Sequence, residues 1–209
     1  MPNKSATIVL SQVKNEDIPF IQGDIIAVDR GCNLLLKLNK KITQAIGDFD
    51  SIDTKTLDRL KLKRVPIQTF PKIKNQSDAE LALQWTIKQG YESIRIIGFA
   101  GGRLDHYQAI LQMLFQFQHS GITLITPLQS IQYLKQGTYQ LQKENKEKYF
   151  SIFTLSKASV SIENARYPII KKQLTVKDTF TLSNEWVQEK TVKLTIHSGE
   201  VLLYRSMLA

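Results

Sequence analysis

Two aspartates two residues apart, Asp48 and Asp50, stand in the run Gly47-Asp48-Phe49-Asp50-Ser51, which directly follows the short apolar pair Ala45-Ile46. In an extended chain, side chains two positions apart point to the same side, so both carboxylates can converge on one divalent cation where a strand ends. An isolated D-x-D is also what an Asp-rich turn looks like. Two further segments tip the balance toward chemistry: Lys74-Asn75-Gln76-Ser77-Asp78-Ala79-Glu80 and Gly98-Phe99-Ala100-Gly101-Gly102-Arg103-Leu104-Asp105-His106. The glycines of the second segment let a ligand approach the backbone closely, and free amides at the next helix start favour phosphate. Arg103 adds a planar, permanently charged donor suited to phosphate oxygens. Asp105 is then expected to complete a magnesium site with the earlier aspartates, because magnesium takes a few carboxylates together with substrate phosphates and water. No GxxxxGK[ST] and no GxGxxG occurs, which excludes a Walker site and a dinucleotide fingerprint.

Several of these residues have a plainer account. Ser77 and Glu80 match a capping box, which explains both without a ligand. Asp78 in the first helical turn is favoured either by the helix dipole or by a ligand. Asp29, in Val28-Asp29-Arg30-Gly31, either binds a ligand or caps the helix that follows. His106 either moves a proton or props the helix start.

The elements that must position these groups read as two domains. Residues 1–127 alternate short aliphatic runs, at 7–10, 25–28, 44–46, 94–97 and 122–126, with helical patterns, as expected of an α/β domain with a parallel sheet. One helix follows Ser77 and stops at Gly90; another spans 104–118 with Ile110, Met113, Leu114 and Phe117 on one face. In such a sheet, ligands bind beyond the carboxyl ends of the strands, near the point where strand order reverses. That is where the aspartates and the glycine run lie. Residues 128–209 carry short β-branched segments at 149–155, 160–162, 179–182, 192–196 and 201–204, the pattern of an all-β sandwich.

Composition narrows the function classes. A chain of 209 residues with 42% hydrophobic and 22% charged residues can bury a sizeable core. No apolar run approaches the ~20 residues that span a bilayer, and the first residues lack a secretory pattern, so a cytoplasmic protein without a membrane partner is expected. The single cysteine, Cys32, excludes an internal disulfide and reads as a small buried hydrophobe. A net charge of +9 suits either a nucleic acid or a polyanionic small molecule. The lysines are dispersed and no RNA-binding aromatic motif accompanies them, which points away from nucleic acid.

The motifs resemble those of the thiamine pyrophosphokinase family along both halves of the chain. Val28-Asp29-Arg30-Gly31 is similar to that family's early D-G-G element, Ile46-Gly47-Asp48-Phe49-Asp50-Ser51-Ile52 to its GDFDS motif, and Gly101-Gly102-Arg103-Leu104-Asp105-His106 to its GGRxDH motif. Lys74 to Glu80 sits where the family has K-D-x-T-D-x-E. Phe150-Ser151-Ile152, Tyr167-Pro168 and Leu182-Ser183-Asn184-Glu185 resemble its β-domain signatures. The chain departs from the pattern at Asn75 for aspartate, Ser77 for threonine and Arg30 for glycine. It also has Ser11-Gln12 where a glycine-rich turn is common.

The resemblance implies transfer of a diphosphoryl group from ATP to the hydroxyl of thiamine, giving thiamine diphosphate and AMP, in a homodimer. It assigns Asp48, Asp50 and Asp105 to Mg2+, Asp78 to metal or substrate, and Arg103 to the transferring phosphates, with Asp50, Asp78, Arg103 and Asp105 as the catalytic set. Asp29, Ser51, Gly101, Gly102 and His106 fall to the nucleotide and its metal, and the base is either a clustered aspartate or His106. Trp186 is expected to stack on the thiamine pyrimidine beside Ser183 and Asn184. Two alternatives remain: a related diphosphokinase acting on another alcohol, and a basic nucleic-acid-binding protein.

Overall fold

The structure, a computed structural model, describes residues 4–50, 52–71, 75–119, 121–144, 146–187 and 191–207. The chain divides into two compact units, Met1–Phe117 with Gly121–Pro127, and Gln118–Ser120 with Leu128–Ala209.

In the first unit, strands β1 (Ser5–Val9), β2 (Asp24–Val28), β3 (Gln44–Gly47), β4 (Ile67–Thr69), β5 (Ser93–Ile97) and β6 (Ile122–Ile125) form a parallel sheet in the order β6-β5-β1-β2-β3-β4. The chain runs outward from β1 in one direction through β4 and returns to β5 on its other side. Strand order therefore reverses between β1 and β5, and both strands end at one crevice. Near-continuous aliphatic strands are what a sheet covered on both faces requires. Val9, Ile25, Ala27 and Ala45 pack with Cys32, Leu35 and Leu36 of α1 (Gly31–Lys37) and Leu60 of α2 (Thr54–Leu62). On the other alternation, α3 (Asp78–Lys88) packs across β1, β2 and β3 and touches α4 (Leu104–Phe117).

Helix α3 starts where the sequence predicts. The Ser77 hydroxyl accepts from the Glu80 amide at 3.1 Å. The Glu80 carboxylate turns to α4, accepting from Gln116 Nε2 at 2.8 Å. After α3, Gly90 takes φ +77, a conformation that costs glycine little and other residues more. The helix expected after Asp29 is α1, whereas sequence patterning leaves out α2 and β4. Helix α2 buries only Thr56 and Leu60, and its start rests on the Asp53 side chain, which accepts from the Thr56 amide at 2.7 Å. Its nine residues are mostly polar, with only Leu57, Leu60 and Leu62 apolar, so its stripe is too short to stand out from the charged background.

The second unit is an antiparallel sandwich. One sheet has the order β12-β9-β14-β7, from β7 (Gln129–Leu134), β9 (Tyr149–Phe153), β12 (Asn184–Glu185) and β14 (Val201–Ser206). The other has the order β11-β10-β13-β8, from β8 (Gly137–Leu141), β10 (Lys157–Glu163), β11 (Ile169–Thr175) and β13 (Val192–Ser198). Phe150, Ile152 and Leu203 from the first sheet meet Val160, Ile162, Leu194 and Ile196 from the second in one core. Residues 179–182, expected as a strand, form a turn instead. Thr181 is buried there and donates its hydroxyl to the Ile152 carbonyl, and the Leu182 amide donates to the Thr179 carbonyl at 3.0 Å. These bonds satisfy groups that a ladder would otherwise pair. Among the described residues, no helix is long and apolar enough to cross a membrane.

Candidate active site

At the carboxyl end of β2, Asp29 takes a left-handed conformation, φ +43, and its amide donates to the Ile46 carbonyl of β3 at 3.2 Å. This aims the Asp29 carboxylate across the end of β3, where Oδ1 accepts from the Phe49 amide at 3.4 Å. Gly47 lies directly beneath: a Cβ built there would fall 1.9 Å from Asp29 Oδ1, and φ at Gly47 is +155. Any side chain at 47 would expel the carboxylate, so the glycine that opens the aspartate motif is what admits Asp29 to the site. Phe49, between the two aspartates, is buried with φ +56. Its ring enters the core while Asp48 and Asp50 stay at the surface of the crevice.

Asp29, Asp48 and Asp78 come together there, each offering a carboxylate oxygen within 4.8 Å of the others, and all three are half-buried. Burial first, then the negative charge of Asp78, pushes the Asp29 carboxyl up from the usual 3.8 to about 7, with Asp48 adding to the rise. Three carboxylates at such separations repel one another and form a donor set that a hard divalent cation satisfies.

The trio differs from the expected ligands Asp48, Asp50 and Asp105. Asp50 is exposed, and its amide donates to Asp48 Oδ1 at 3.1 Å, closing a local turn that orients Asp48. Asp105 stands on the first turn of α4, where Arg103 holds it through Nε to Oδ1 at 3.1 Å and a guanidinium nitrogen to Oδ2 at 2.5 Å. That pairing keeps the Asp105 carboxyl below its ordinary range and raises the Arg103 guanidinium. Asp105 Oδ1 also accepts from the His106 amide at 3.0 Å. Ser51 lies outside the described residues.

Beside the carboxylates opens a cavity of about 260 Å³, lined among others by Ser11, Gln12, Asp29, Asp78, Phe99 and His106. It sits over the ends of β1 and β5, where strand order reverses. Ser11 and Gln12, noted in the sequence only as a departure from a glycine-rich turn, are wall residues of this cavity. Their position just past the first strand puts them at the carboxyl end of the sheet. Gly101 and Gly102 are exposed on the loop leading to Arg103.

In the second unit the expected vitamin contacts separate. Trp186 is only 9% exposed and belongs to the sandwich core, its ring 5.1 Å from that of Phe150 and 5.5 Å from the Arg205 guanidinium. Arg205 is itself held by the buried Glu147 at 2.7 Å. This geometry gives Trp186 a packing role. Asn184 is buried as well and uses both ends of its carboxamide on Tyr167: Oδ1 accepts from the Tyr167 amide at 3.1 Å, and Nδ2 donates to the Tyr167 carbonyl at 2.9 Å. Tyr167, fixed in this way, is 53% exposed. Ser183 is exposed at the rim of a second cavity of about 360 Å³, lined by Tyr149, Ser151, Phe153 and Tyr204 on the outer face of the β9 sheet. Its amide donates to Ser151 Oγ at 2.9 Å.

A pH dependence follows from Asp29. In the metal-free protein the folded state holds its proton up to about 7, whereas the unfolded chain releases it near 3.8. The stability contributed by this group is therefore complete below about pH 4 and is lost as pH rises through about 7. Thermal unfolding without metal is expected to show Tm falling over that window. Added Mg2+ should raise Tm more at pH 8 than at pH 5, because it replaces the proton. A Mg2+ effect that does not depend on pH would contradict a three-carboxylate site.

Comparison with known proteins places both units. Residues 22–126 match the profile of the thiamin pyrophosphokinase catalytic domain, and residues 138–201 match that of the thiamin pyrophosphokinase vitamin B1 binding domain. The thiamine pyrophosphokinase of Bacillus subtilis is 28% identical over 185 residues, covering 87% of this chain and 86% of that protein. The crystal structure of the Bacillus subtilis thiamine pyrophosphokinase superposes with a TM-score of 0.87 at 27% identity, covering 97% of this chain and 99% of that one. Yeast thiamin pyrophosphokinase shares the fold, with a TM-score of 0.81 at 12% identity over 99% of this chain and 87% of that one.

Proposed function

The chain belongs to the thiamin pyrophosphokinase family, and on that premise we propose that it transfers a diphosphoryl group from ATP to the primary hydroxyl of thiamine, giving thiamine diphosphate and AMP. The observation that carries the reading is the meeting of Asp29, Asp48 and Asp78 beside a cavity at the strand-order reversal. The glycine loop with Arg103 follows β5 at the same crevice.

Asp29, Asp48 and Asp78 fit magnesium and would hold it. When bound, the ion neutralises phosphate charge and fixes the triphosphate, which is most of what phosphoryl transfer asks of a protein. The thiamine hydroxyl oxygen forms a bond to the β-phosphorus while the bond from that phosphorus to the α,β-bridging oxygen breaks, and AMP leaves with the electron pair. His106, which lines the cavity outside the carboxylate trio, takes the hydroxyl proton. Arg103 exchanges its Asp105 partner for the transferring phosphates. Both groups are largely exposed, so the exchange costs little. Asp50 orders the turn that presents Asp48.

On the vitamin side, Tyr167 presents an aromatic face suited to the pyrimidine ring, Asn184 holds that residue in place, and Ser183 supplies a hydroxyl. A second copy of the chain completes the acceptor site in a cytoplasmic homodimer, and a strictly monomeric, fully active protein would refute that part. The proposal as a whole is tested with purified protein, ATP and Mg2+. AMP is expected to appear only when thiamine is added and to stop when magnesium is chelated. AMP release that ignores thiamine, or faster release with another primary alcohol, would overturn it.

A further inference from the structure

Resting on that reading and deepening it, we infer that Gln12 and Lys14, on the loop after β1, supply further phosphate-binding groups beside the Arg103 loop. The loop is draped over the glycine run. The Gln12 amide donates to the Gly98 carbonyl at 3.0 Å, carrying the β1–β5 pairing one step beyond the strands. Gly98 takes φ +71, and a Cβ there would lie 2.6 Å from both the Leu10 carbonyl oxygen and the Val13 amide nitrogen, so the two loops touch backbone to backbone. Farther along, the Gln12 carboxamide lies on Gly102: a Cβ on Gly102 would be 2.9 Å from Gln12 Cδ. Lys14 Nζ stands 3.9 Å from the corresponding point on Gly101.

The loop is also held rigidly. The Val13 amide donates to the Leu10 carbonyl at 3.2 Å, and buried Asp17 accepts from the Lys14 amide at 2.9 Å. A braced backbone thus carries a carboxamide and an ammonium beside the loop that holds Arg103, at the reversal of strand order, with Gln12 lining the cavity. Lys14 has an acidic neighbour, Glu16, at 3.9 Å, but both side chains are 64% exposed, so that pair yields readily to a phosphate. The carboxylates across the cavity repel the triphosphate without a metal, and cationic or neutral donors on this side counter that repulsion.

The experiment compares binding of ATP and of adenosine, by calorimetry with Mg2+, in wild type, Gln12→Ala, Lys14→Ala and Lys14→Arg. Loss of Gln12 is expected to weaken ATP roughly 3- to 10-fold and loss of Lys14 about tenfold, with adenosine unchanged and Lys14→Arg restoring most of the affinity. Gly102 has no left-handed φ, so the Gln12 contact is what opposes a methyl group there. Gly102→Ala is therefore expected to displace the carboxamide, match Gln12→Ala, and add nothing to it in the double variant. Unchanged ATP affinity, equal losses for ATP and adenosine, or additive effects of the two substitutions would overturn the inference. Failure of wild-type protein to form AMP with thiamine would count against the proposed function instead, leaving this binding comparison to stand on its own.

Discussion

Asp48→Asn and Asp78→Asn are each expected to lower thiamine diphosphate formation on the order of 10²–10³-fold while leaving the metal-free protein at least as stable as wild type. The two effects have one cause. Three carboxylates within 4.8 Å of one another repel, and the rise of the Asp29 carboxyl to about 7 registers burial first and that repulsion second. Removing one charge relieves the empty site but deprives the cation of a ligand. Activity and stability should therefore move in opposite directions, which a substitution that merely damages the fold cannot produce. The measurements are kcat at saturating Mg2+ and Tm in chelator. Asp29 in the Asp78→Asn protein should also titrate closer to an ordinary carboxylate, flattening the fall of Tm between about pH 4 and 7. Full activity in a folded Asp48→Asn or Asp78→Asn protein would refute the assignment of these groups to the metal.

Two aromatic residues of the β unit are expected to respond in opposite ways. Tyr167→Ala should raise the KM for thiamine roughly 3- to 10-fold, the value of one aromatic stacking contact, with Tm and nucleotide affinity near wild type. Trp186→Ala should destabilise the protein by about 3–5 kcal/mol, as removal of a buried indole does, and should show no selective effect on thiamine. The contrast rests on exposure, 53% for Tyr167 against 9% for Trp186, and on the Asn184 clamp on the Tyr167 backbone. Steady-state kinetics and denaturant unfolding of both variants decide the matter. A selective thiamine defect in a stable Trp186→Ala protein would return the stacking role to Trp186.

Much of the fold is legible in the sequence because burial imposes strong patterns. The short aliphatic runs that became β1, β2, β3 and β5 lie inside a sheet covered on both faces, and α3 carries its own start and stop at Ser77 and Gly90. What stays hidden is short, peripheral or set by tertiary hydrogen bonds. Strand β4 has three residues at a sheet edge, and α2 buries only two side chains. The turn at 179–182 looks like a strand until Thr181 is seen to bond the Ile152 carbonyl.

The same division applies to the site. Its location beyond the ends of the strands follows from local motifs, and Asp29, Asp48 and Asp78 all stand in segments the sequence marks. Which carboxylates meet depends on backbone direction that spacing does not reveal. Asp29 reaches the group because of its left-handed φ and the bare Cα of Gly47, while Asp105 is taken up by Arg103 two residues away. Trp186 attracts attention in a linear reading as an aromatic next to a polar signature. Its indole is nonetheless in the core, and the exposed ring belongs to a residue about twenty positions earlier, joined to that signature through Asn184.

The central claim, transfer of an intact diphosphoryl group by attack at the β-phosphorus, is tested most directly by following label from ATP carrying 32P at both the β and γ positions, in the presence of thiamine and Mg2+. The account predicts that thiamine diphosphate forms with both labels in equal amount, that AMP forms unlabelled in the same quantity, and that no labelled ADP accumulates. Thiamine monophosphate carrying the γ label alone, together with ADP carrying the β label, would show attack at the γ-phosphorus and contradict the account.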